Sequence, residues 1–333
     1  MNKLGNTGII VYPVGLGGIP IQRVTKDEAK EVILKAIECG CNFIDSAKGY
    51  TCSEEYIGYA LEGVRDKVYL ATKSMAQTYE KMKEDILDSL NKFRTSYIDL
   101  YQIHNCKSWD QFKTIYNGAY IALKEAKEQG LVKHIGITSH SLDFINELLD
   151  SEYANLIETI QVPYNFLEPQ SASVIKKACK MGKGTIAMKP LGGGEIEKGT
   201  VAIKFLCNDK FLSVAIPGCG SVSEVLENYT ITDYTLTSDE LKYIEEKKQK
   251  VKGIFCHRCG YCLPCAVGID IPTIFTFEKY YLDYNLKDWA ISRYNSSKVK
   301  ASSCIKCGAC VKRCPYGIDI PGRMEKISKL FQG

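Results

Sequence analysis

The chain has 333 residues, 45% of them hydrophobic and 25% charged, with a net charge of +4. That length suits one large domain plus a small one, and so weak a positive charge excludes a broad nucleic-acid-binding surface. No apolar run approaches the ~20 residues needed to span a bilayer, and the opening MNKLGNTGIIVYPVG lacks the apolar core of a signal peptide, so a cytoplasmic protein with no membrane partner is expected.

Cysteine is the outlier. Of 15 cysteines, eight crowd into the last quarter and seven are scattered. In a cytosolic chain that number argues for metal ligation or redox work rather than disulfides. Scattered ones such as Cys39, Cys179 and Cys207 sit in helix-like patterns and read as small core fillers.

Taken in order, VYPVGLGG reads as a first strand. Thr25-Lys-Asp-Glu28 is a capping box, followed by Ala29, Val32, Ile33, Ala36 and Ile37 at helical spacing. NFIDSA is a strand, and the helix from Ser53 buries Ile57 and Leu61. VYLATK follows as a strand, and the next helix places Ile86, Leu87, Leu90 and Phe93 on one side. After the strand YIDLYQIH, one long helix closes at Gln129-Gly130. HIGITS, TIQVPYN, TIAMKPL and FLSVAIPG complete eight strands, with helices at Ser141–Leu149 and Ala172–Lys180 between them. Strict alternation of this kind belongs to a parallel α/β fold, and its spacing suits a (β/α)8 TIM barrel of ~250 residues. The rival is a doubly wound sheet, but no G-x-G-x-x-G fingerprint opens an early helix. After the helix Ser238–Lys250, KKQKVKG reads as a charged flexible joint, which divides the chain into a barrel over residues 1–250 and a small cysteine-rich domain over 251–333. Within that tail CAVGIDIP (Cys265–Pro272) recurs as CPYGIDIP (Cys314–Pro321), an internal duplication.

Four residues in the barrel suggest chemistry. Asp45, Lys73 and His104 each end a buried strand, and Tyr50 follows Asp45 on a loop. Strands that deliver polar side chains from their carboxyl ends into one mouth are the layout of a barrel active site. Singly each has a bland reading: Tyr50 is one of 21 tyrosines, a strand-end His is most often a core residue, and Asp45 with Lys73 is a buried ion pair. As a set, each has a role. Reduction of a carbonyl needs a proton donor, and a tyrosine serves once its pKa of about 10 is lowered. Lys73 would stabilise the phenolate, Asp45 would keep Lys73 charged, and His104 would hold the substrate oxygen or relay the proton.

Over about residues 3–230 the sequence resembles the aldo-keto reductase family. LGNTGIIVYPVGLGG is similar to its opening, Asp45-x4-Tyr50 with Lys73 and His104 to its catalytic tetrad, and IGITSH, QVPYN, AMKPLGGG and IPGCGSVSEVLEN to its cofactor segments in order. The resemblance implies NADPH or NADH as cofactor. It gives Thr138, Ser139 and Gln161 to the nicotinamide carboxamide, Ile216 to Gly218 to the pyrophosphate path, and Glu227 and Asn228 to the adenine. Gly18, Lys189 and Leu191 fall among the same cofactor positions. Met188 stands where many members stack a tyrosine on the ring, and a thioether can contact it. Where NADPH-preferring members place Lys and Arg, this chain has Gly218 and Glu224. A carboxylate repels a 2′-phosphate but accepts a hydrogen bond from a 2′-hydroxyl, which implies that NADH is tolerated or preferred; otherwise Glu224 points to solvent.

In the tail, Cys256, Cys259, Cys262 and Cys265 form one run, and Cys304, Cys307, Cys310 and Cys314-Pro315 form a second. The second has the spacing of bacterial ferredoxins, in which the fourth cysteine serves the other cluster. By that rule Cys256, Cys259, Cys262 and Cys314 hold one [4Fe-4S] cluster, and Cys304, Cys307, Cys310 and Cys265 the other. The first run has only two residues before its last cysteine, and Ala266 replaces proline. One cluster beside a vestigial loop, and structural zinc, are therefore alternatives. The tail resembles the ferredoxin-type extension of a bacterial branch of the aldo-keto reductases. The resulting expectation is an NAD(P)H-dependent enzyme interconverting a small carbonyl compound and an alcohol. The competing readings are an electron-transfer reductase that exchanges electrons with ferredoxin or another carrier, and a nucleotide-sensing protein without turnover. No flavin fingerprint appears to split a hydride into single electrons.

Overall fold

The alternation read from the sequence is a (β/α)8 barrel in the computed structural model, which describes residues 1–258, 260–314 and 316–331. Two short antiparallel strands come first, β1 (Asn2–Lys3) and β2 (Ile10–Val11). The barrel strands follow: β3 (Leu16–Gly17), β4 (Phe43–Asp45), β5 (Tyr69–Ser74) and β6 (Ile98–Ile103), then β7 (Val132–Thr138), β8 (Thr159–Pro163), β9 (Gly184–Met188) and β10 (Val214–Ala215). Each pairs in parallel with its sequence neighbour. Parallel bridges from Val14 to Ala215 and from Gly17 to Gly218 bring the first strand beside the last. β3 and β10 are short because Pro13 and Pro217 bracket this seam. Each accepts a hydrogen bond from across it, and neither can donate one. Gly17 is required there, since a Cβ would lie 2.8 Å from the Ile216 carbonyl oxygen.

The helices wrap this sheet: α1 (Lys26–Glu38), α2 (Ser53–Ala60), α3 (Tyr79–Phe93), α4 (Trp109–Tyr116) and α5 (Ala119–Glu128). They continue with α6 (Leu142–Asp150), α7 (Ala172–Lys180), α8 (Gly199–Cys207) and α9 (Val222–Tyr229). The capping box at Thr25 and Glu28 forms as read. Two expectations need correction. On α3, Ile86, Leu90 and Phe93 are buried but Leu87 is 51% exposed, and Met82, one turn before Ile86, completes the stripe instead. The long helix ending at Gln129 is two, α4 and α5. Gly118 lies so close to the preceding loop that a Cβ would sit 2.6 Å from the Gln77 carbonyl oxygen, and the Ala119 N–H bonds that carbonyl.

The barrel has two cores. The larger lies between strands and helices, while Phe43, Ala71, Leu100, Ile186 and Val214 fill the interior with Leu4, Ile9 and Val11. The last three come from the β1–β2 hairpin, which closes the interior beneath the amino ends of the strands. Of the scattered cysteines, Cys41, Cys106 and Cys219 are fully buried, whereas Cys39, Cys179 and Cys207 are only half-buried.

A second compact unit comprises 237–333 with 193–195, the first being 1–192 with 196–236. α10 (Ser238–Lys250) belongs to this second unit. Instead of a flexible joint, residues 247–250 complete that helix, and Lys247 is buried with its ammonium 3.3 Å from Glu195. Four more helices follow: α11 (Ile271–Leu282), α12 (Lys287–Asn295), α13 (Ala309–Arg313) and α14 (Ile320–Leu330). The duplicated GIDIP segments open α11 and α14 alike. Asp270 and Asp319 are the N-caps, each followed by a proline in the first turn.

Candidate active site and cysteine-lined cavities

Strand alternation explains the polar layer above the apolar interior. Phe43 and Asp45, Ala71 and Lys73, and Leu100 and Gln102 are spaced by two, so each polar residue stands one step above an interior apolar one. Lys73 is 1% exposed, and its ammonium lies 2.5 Å from Asp45 Oδ2 and 2.6 Å from the Ser46 carbonyl oxygen. Asp45 also accepts from Gln102 Nε2 at 3.1 Å and Gln161 Nε2 at 3.5 Å. Burial lowers Lys73 from the ordinary lysine value and raises Asp45 from the ordinary carboxylate value, and their mutual attraction opposes both shifts.

Tyr50 and His104 complete the group. The Lys73 ammonium lies 5.2 Å from the centroid of the Tyr50 ring, and the His104 ring meets that ring edge-on at 6.2 Å between centroids. The loop carrying Tyr50 is braced at both ends. Ser53 Oγ bonds Ser46 Oγ and the Gly18 carbonyl, each at 2.9 Å, and the Gly18 N–H bonds the Asp45 carbonyl at 2.7 Å. Gly18 must be glycine, because a Cβ would come within 2.6 Å of Ser53 Oγ. Lys48, two residues before Tyr50, is held by Asp88 and the buried Glu54, whose other oxygen accepts from Thr72 and Ser89. Gln102, Ser53 and Glu54 were missed in the sequence. Gln102 was legible, being two residues before His104 on one strand face.

The expected cofactor residues stand around the same mouth or along the β9 and β10 ends. The Oε1 atoms of Gln161 and Gln102 are buried with no hydrogen-bond partner among the described residues, so this layer holds acceptors suited to an amide N–H. Thr138 Oγ1 accepts the Asn105 N–H at 2.8 Å. The Ser139 hydroxyl is engaged locally, donating to the Cys106 carbonyl and accepting the Ser141 N–H. Met188 ends β9, Lys189 follows in a left-handed conformation, and the Leu191 carbonyl accepts the Ile196 N–H. Ile216 is buried, and Gly218 sits at the seam, packed on Pro20. Glu224 accepts the Gly220 N–H at 2.6 Å, Glu227 accepts the Gly199 N–H at 3.0 Å, and Asn228 is buried with Oδ1 unpartnered among the described residues. Glu224 therefore does not simply face solvent. Beside it stands a cation that sequence reading missed: Arg23 Nη2 lies 3.1 Å from where a Gly220 Cβ would be.

In the second unit the cysteines segregate into two cavities. Cys265, Cys304, Cys307 and Cys310 line one whose non-atom space, open solvent at its mouth included, is about 380 Å³, and Cys256, Cys262 and Cys314 line one of about 320 Å³ by the same measure. Cys259, expected with the latter three, lies outside the described residues. Among the described residues Cys265 thus lines the cavity of the second run and Cys314 that of the first. Among the described residues no three His, Cys, Asp or Glu side chains converge closely enough for a single metal ion. Four thiols around an open cavity fit a cubane better than zinc. Ile271 and Ile320, equivalent positions of the repeat, line both cavities and form a shared wall. Arg313 ties the two runs together, bonding the carbonyls of Cys262, Leu263 and Pro264 at 2.9, 3.3 and 2.7 Å.

Comparison with known proteins agrees with both halves. Residues 13–200 match the model of the aldo/keto reductase family, and residues 255–319 match that of a 4Fe-4S dicluster domain. The chain is 26% identical over 259 residues to methylglyoxal reductase DkgA of Escherichia coli K12, covering 73% of this chain and 91% of that protein. Two solved structures share the barrel fold. One is the holo form of an aldo-keto reductase from Bacillus halodurans (TM-score 0.63, 22% identity, 74% of this chain and 95% of that one). The other is an aldo-keto reductase from Klebsiella pneumoniae in complex with NADPH (TM-score 0.64, 19% identity, 74% and 94%).

Proposed function

Because the chain belongs to the aldo/keto reductase family, we propose that it is an NAD(P)H-dependent oxidoreductase that reduces an aldehyde or ketone to an alcohol, or runs the reverse reaction, at Asp45, Tyr50, Lys73 and His104. The observation that carries the reading is the Lys73 ammonium, 5.2 Å from the Tyr50 ring and 2.5 Å from Asp45. A bound nicotinamide would supply the hydride. Gln161 and Thr138 suit its carboxamide, and the orphan acceptor of Gln161 is the feature that fits it. Tyr50 gives its proton to the substrate oxygen as charge develops there. Lys73 favours the phenolate left behind, and Asp45 keeps Lys73 protonated in a site where burial would strip it. His104, edge-on to Tyr50, holds the substrate oxygen against the phenol.

Both cofactors are accommodated. Glu224 offers an acceptor for a ribose hydroxyl, and Arg23 beside the same loop offers a cation for a 2′-phosphate. The cysteine-lined cavities suit two 4Fe-4S clusters, one held by Cys265, Cys304, Cys307 and Cys310, the other by Cys256, Cys259, Cys262 and Cys314. Such clusters supply one-electron redox capacity and the folding energy of a unit with a small core.

The test is Tyr50→Phe. Loss of the general acid should lower kcat for carbonyl reduction by about 10²- to 10⁴-fold while NAD(P)H binding, followed by fluorescence, stays measurable. Near-normal turnover by that variant would remove Tyr50 from the reaction.

A further inference from the structure

We propose that the edge of the second unit around Cys307 is the docking face for a small acidic one-electron carrier protein. The inference rests on the reading that both cavities hold clusters. It starts from one exposed ligand. Around the larger cavity Cys310 is buried and Cys265 and Cys304 are half-buried, but Cys307 is exposed. That site thus opens to solvent through its own ligand, and Ile271 and Ile320 line both it and the smaller cavity.

The surroundings of the open edge specify the partner. Ile305 is 63% exposed, a large apolar side chain two residues from Cys307. Lys306 and Arg313 line the cavity, and no Asp or Glu does. From 289 to 318 the chain carries six Lys or Arg and no acidic residue, and residues 237–333 carry 17 Lys or Arg against 10 Asp or Glu. Glu325 pairs with Lys306 at 2.7 Å, while Lys312, next to Arg313 in the chain, adds an exposed cation. An apolar side chain beside cations matches the small, transient interfaces of electron-transfer encounters, in which charge complementarity sets the on-rate. An acidic surface is the complement.

The exchange is simple in its balance. One electron would leave the reduced carrier and enter a cluster held by Cys265, Cys304, Cys307 and Cys310. That cluster would be reduced and the carrier oxidised, with no proton moved and no bond made or broken. Ile271 and Ile320, shared by the two cavity linings, lie between this site and the second one.

The experiment uses the anaerobically purified, iron-loaded full chain and a strongly acidic plant-type [2Fe-2S] ferredoxin as probe, with a basic cytochrome c as control. Titration calorimetry at low salt should show the ferredoxin binding and the cytochrome not. Raising ionic strength from about 20 to about 200 mM should weaken the complex tenfold or more. Charge reversal at a cation outside the cavity lining, Lys312→Glu, should lower affinity about tenfold. Iron content and NAD(P)H-dependent carbonyl reduction should stay as in the parent. No ferredoxin binding at low salt, or equal binding by the charge-reversed protein, overturns the proposal. An iron-free chain from anaerobic purification fails at the earlier step, the presence of clusters.

Discussion

Replacing Asp45 with Asn tests the central ion pair because stability and catalysis should respond with different pH dependence. Unit charges 2.5 Å apart attract by about 7 kcal/mol at an effective dielectric of ~20. Desolvation of two nearly inaccessible groups offsets much of that. What remains to be measured is the cost of leaving Lys73 buried without its counter-ion, about 3–5 kcal/mol for pairs of this kind. The sign follows from proton binding. Burial already lowers Lys73 from 10.5, and without Asp45 it falls further. Between the lowered folded value and the unfolded one, the unfolded chain binds more protons, so stability rises with pH in that window. Urea denaturation should therefore show Asp45→Asn destabilised most near neutrality, with the deficit narrowing toward pH 10. The basic limb of kcat/KM for reduction should move the other way, to lower pH, because the ammonium beside Tyr50 is lost earlier. Asp45→Leu with Lys73→Met should regain stability and remain inactive. A loss of stability below about 0.5 kcal/mol with an unshifted pH profile would mean that the pair neither holds the fold nor tunes the acid.

The other expectations concern the cofactor loop and the cysteine runs. Arg23→Ala should lower kcat/KM with NADPH by about tenfold and leave NADH within about twofold, since an exposed charge-assisted bond contributes about 1.5 kcal/mol; equal losses with both would show that Arg23 does not meet the 2′-phosphate. Arg313→Ala should release the loop that turns Cys262 and Cys265 toward different cavities, so iron should fall from about eight per chain toward about four, with Arg313→Lys intermediate. Full iron content and an unchanged electron paramagnetic resonance spectrum of the reduced Arg313→Ala protein would rule that out.

Much of this was legible because short-range rules governed it. Thr25 with Glu28, the strand-end positions of Asp45, Lys73 and His104, and the spacing of the second cysteine run each depend on residues a few positions apart. Failures came where distant chain decided the outcome. The helix break at Gly118 depends on the Gln77 carbonyl, Met82 is buried where Leu87 is exposed, and the buried Lys247 pairs with Glu195, distant in the chain. Arg23 escaped notice because the contact with Gly220 joins the two ends of the barrel. Gln102 is the exception: its register relative to His104 was available from alternation alone, and the catalytic reading of the strand stopped one residue type too soon.

The exchange of fourth cysteines also constrains how the protein is made. The larger cavity needs Cys265 from one run and Cys304, Cys307 and Cys310 from the other, and the smaller takes Cys314 from the far end of the unit. Synthesis of the first run alone therefore leaves neither cavity complete. A ribosome must extend past Cys310 before one set of sulfurs exists and past Cys314 before the other does, by which time the barrel residues are already made. If the two cavities hold clusters as proposed, their assembly is thereby deferred until both runs are made, and a product truncated before Cys310 presents loose thiols rather than a complete ligand set.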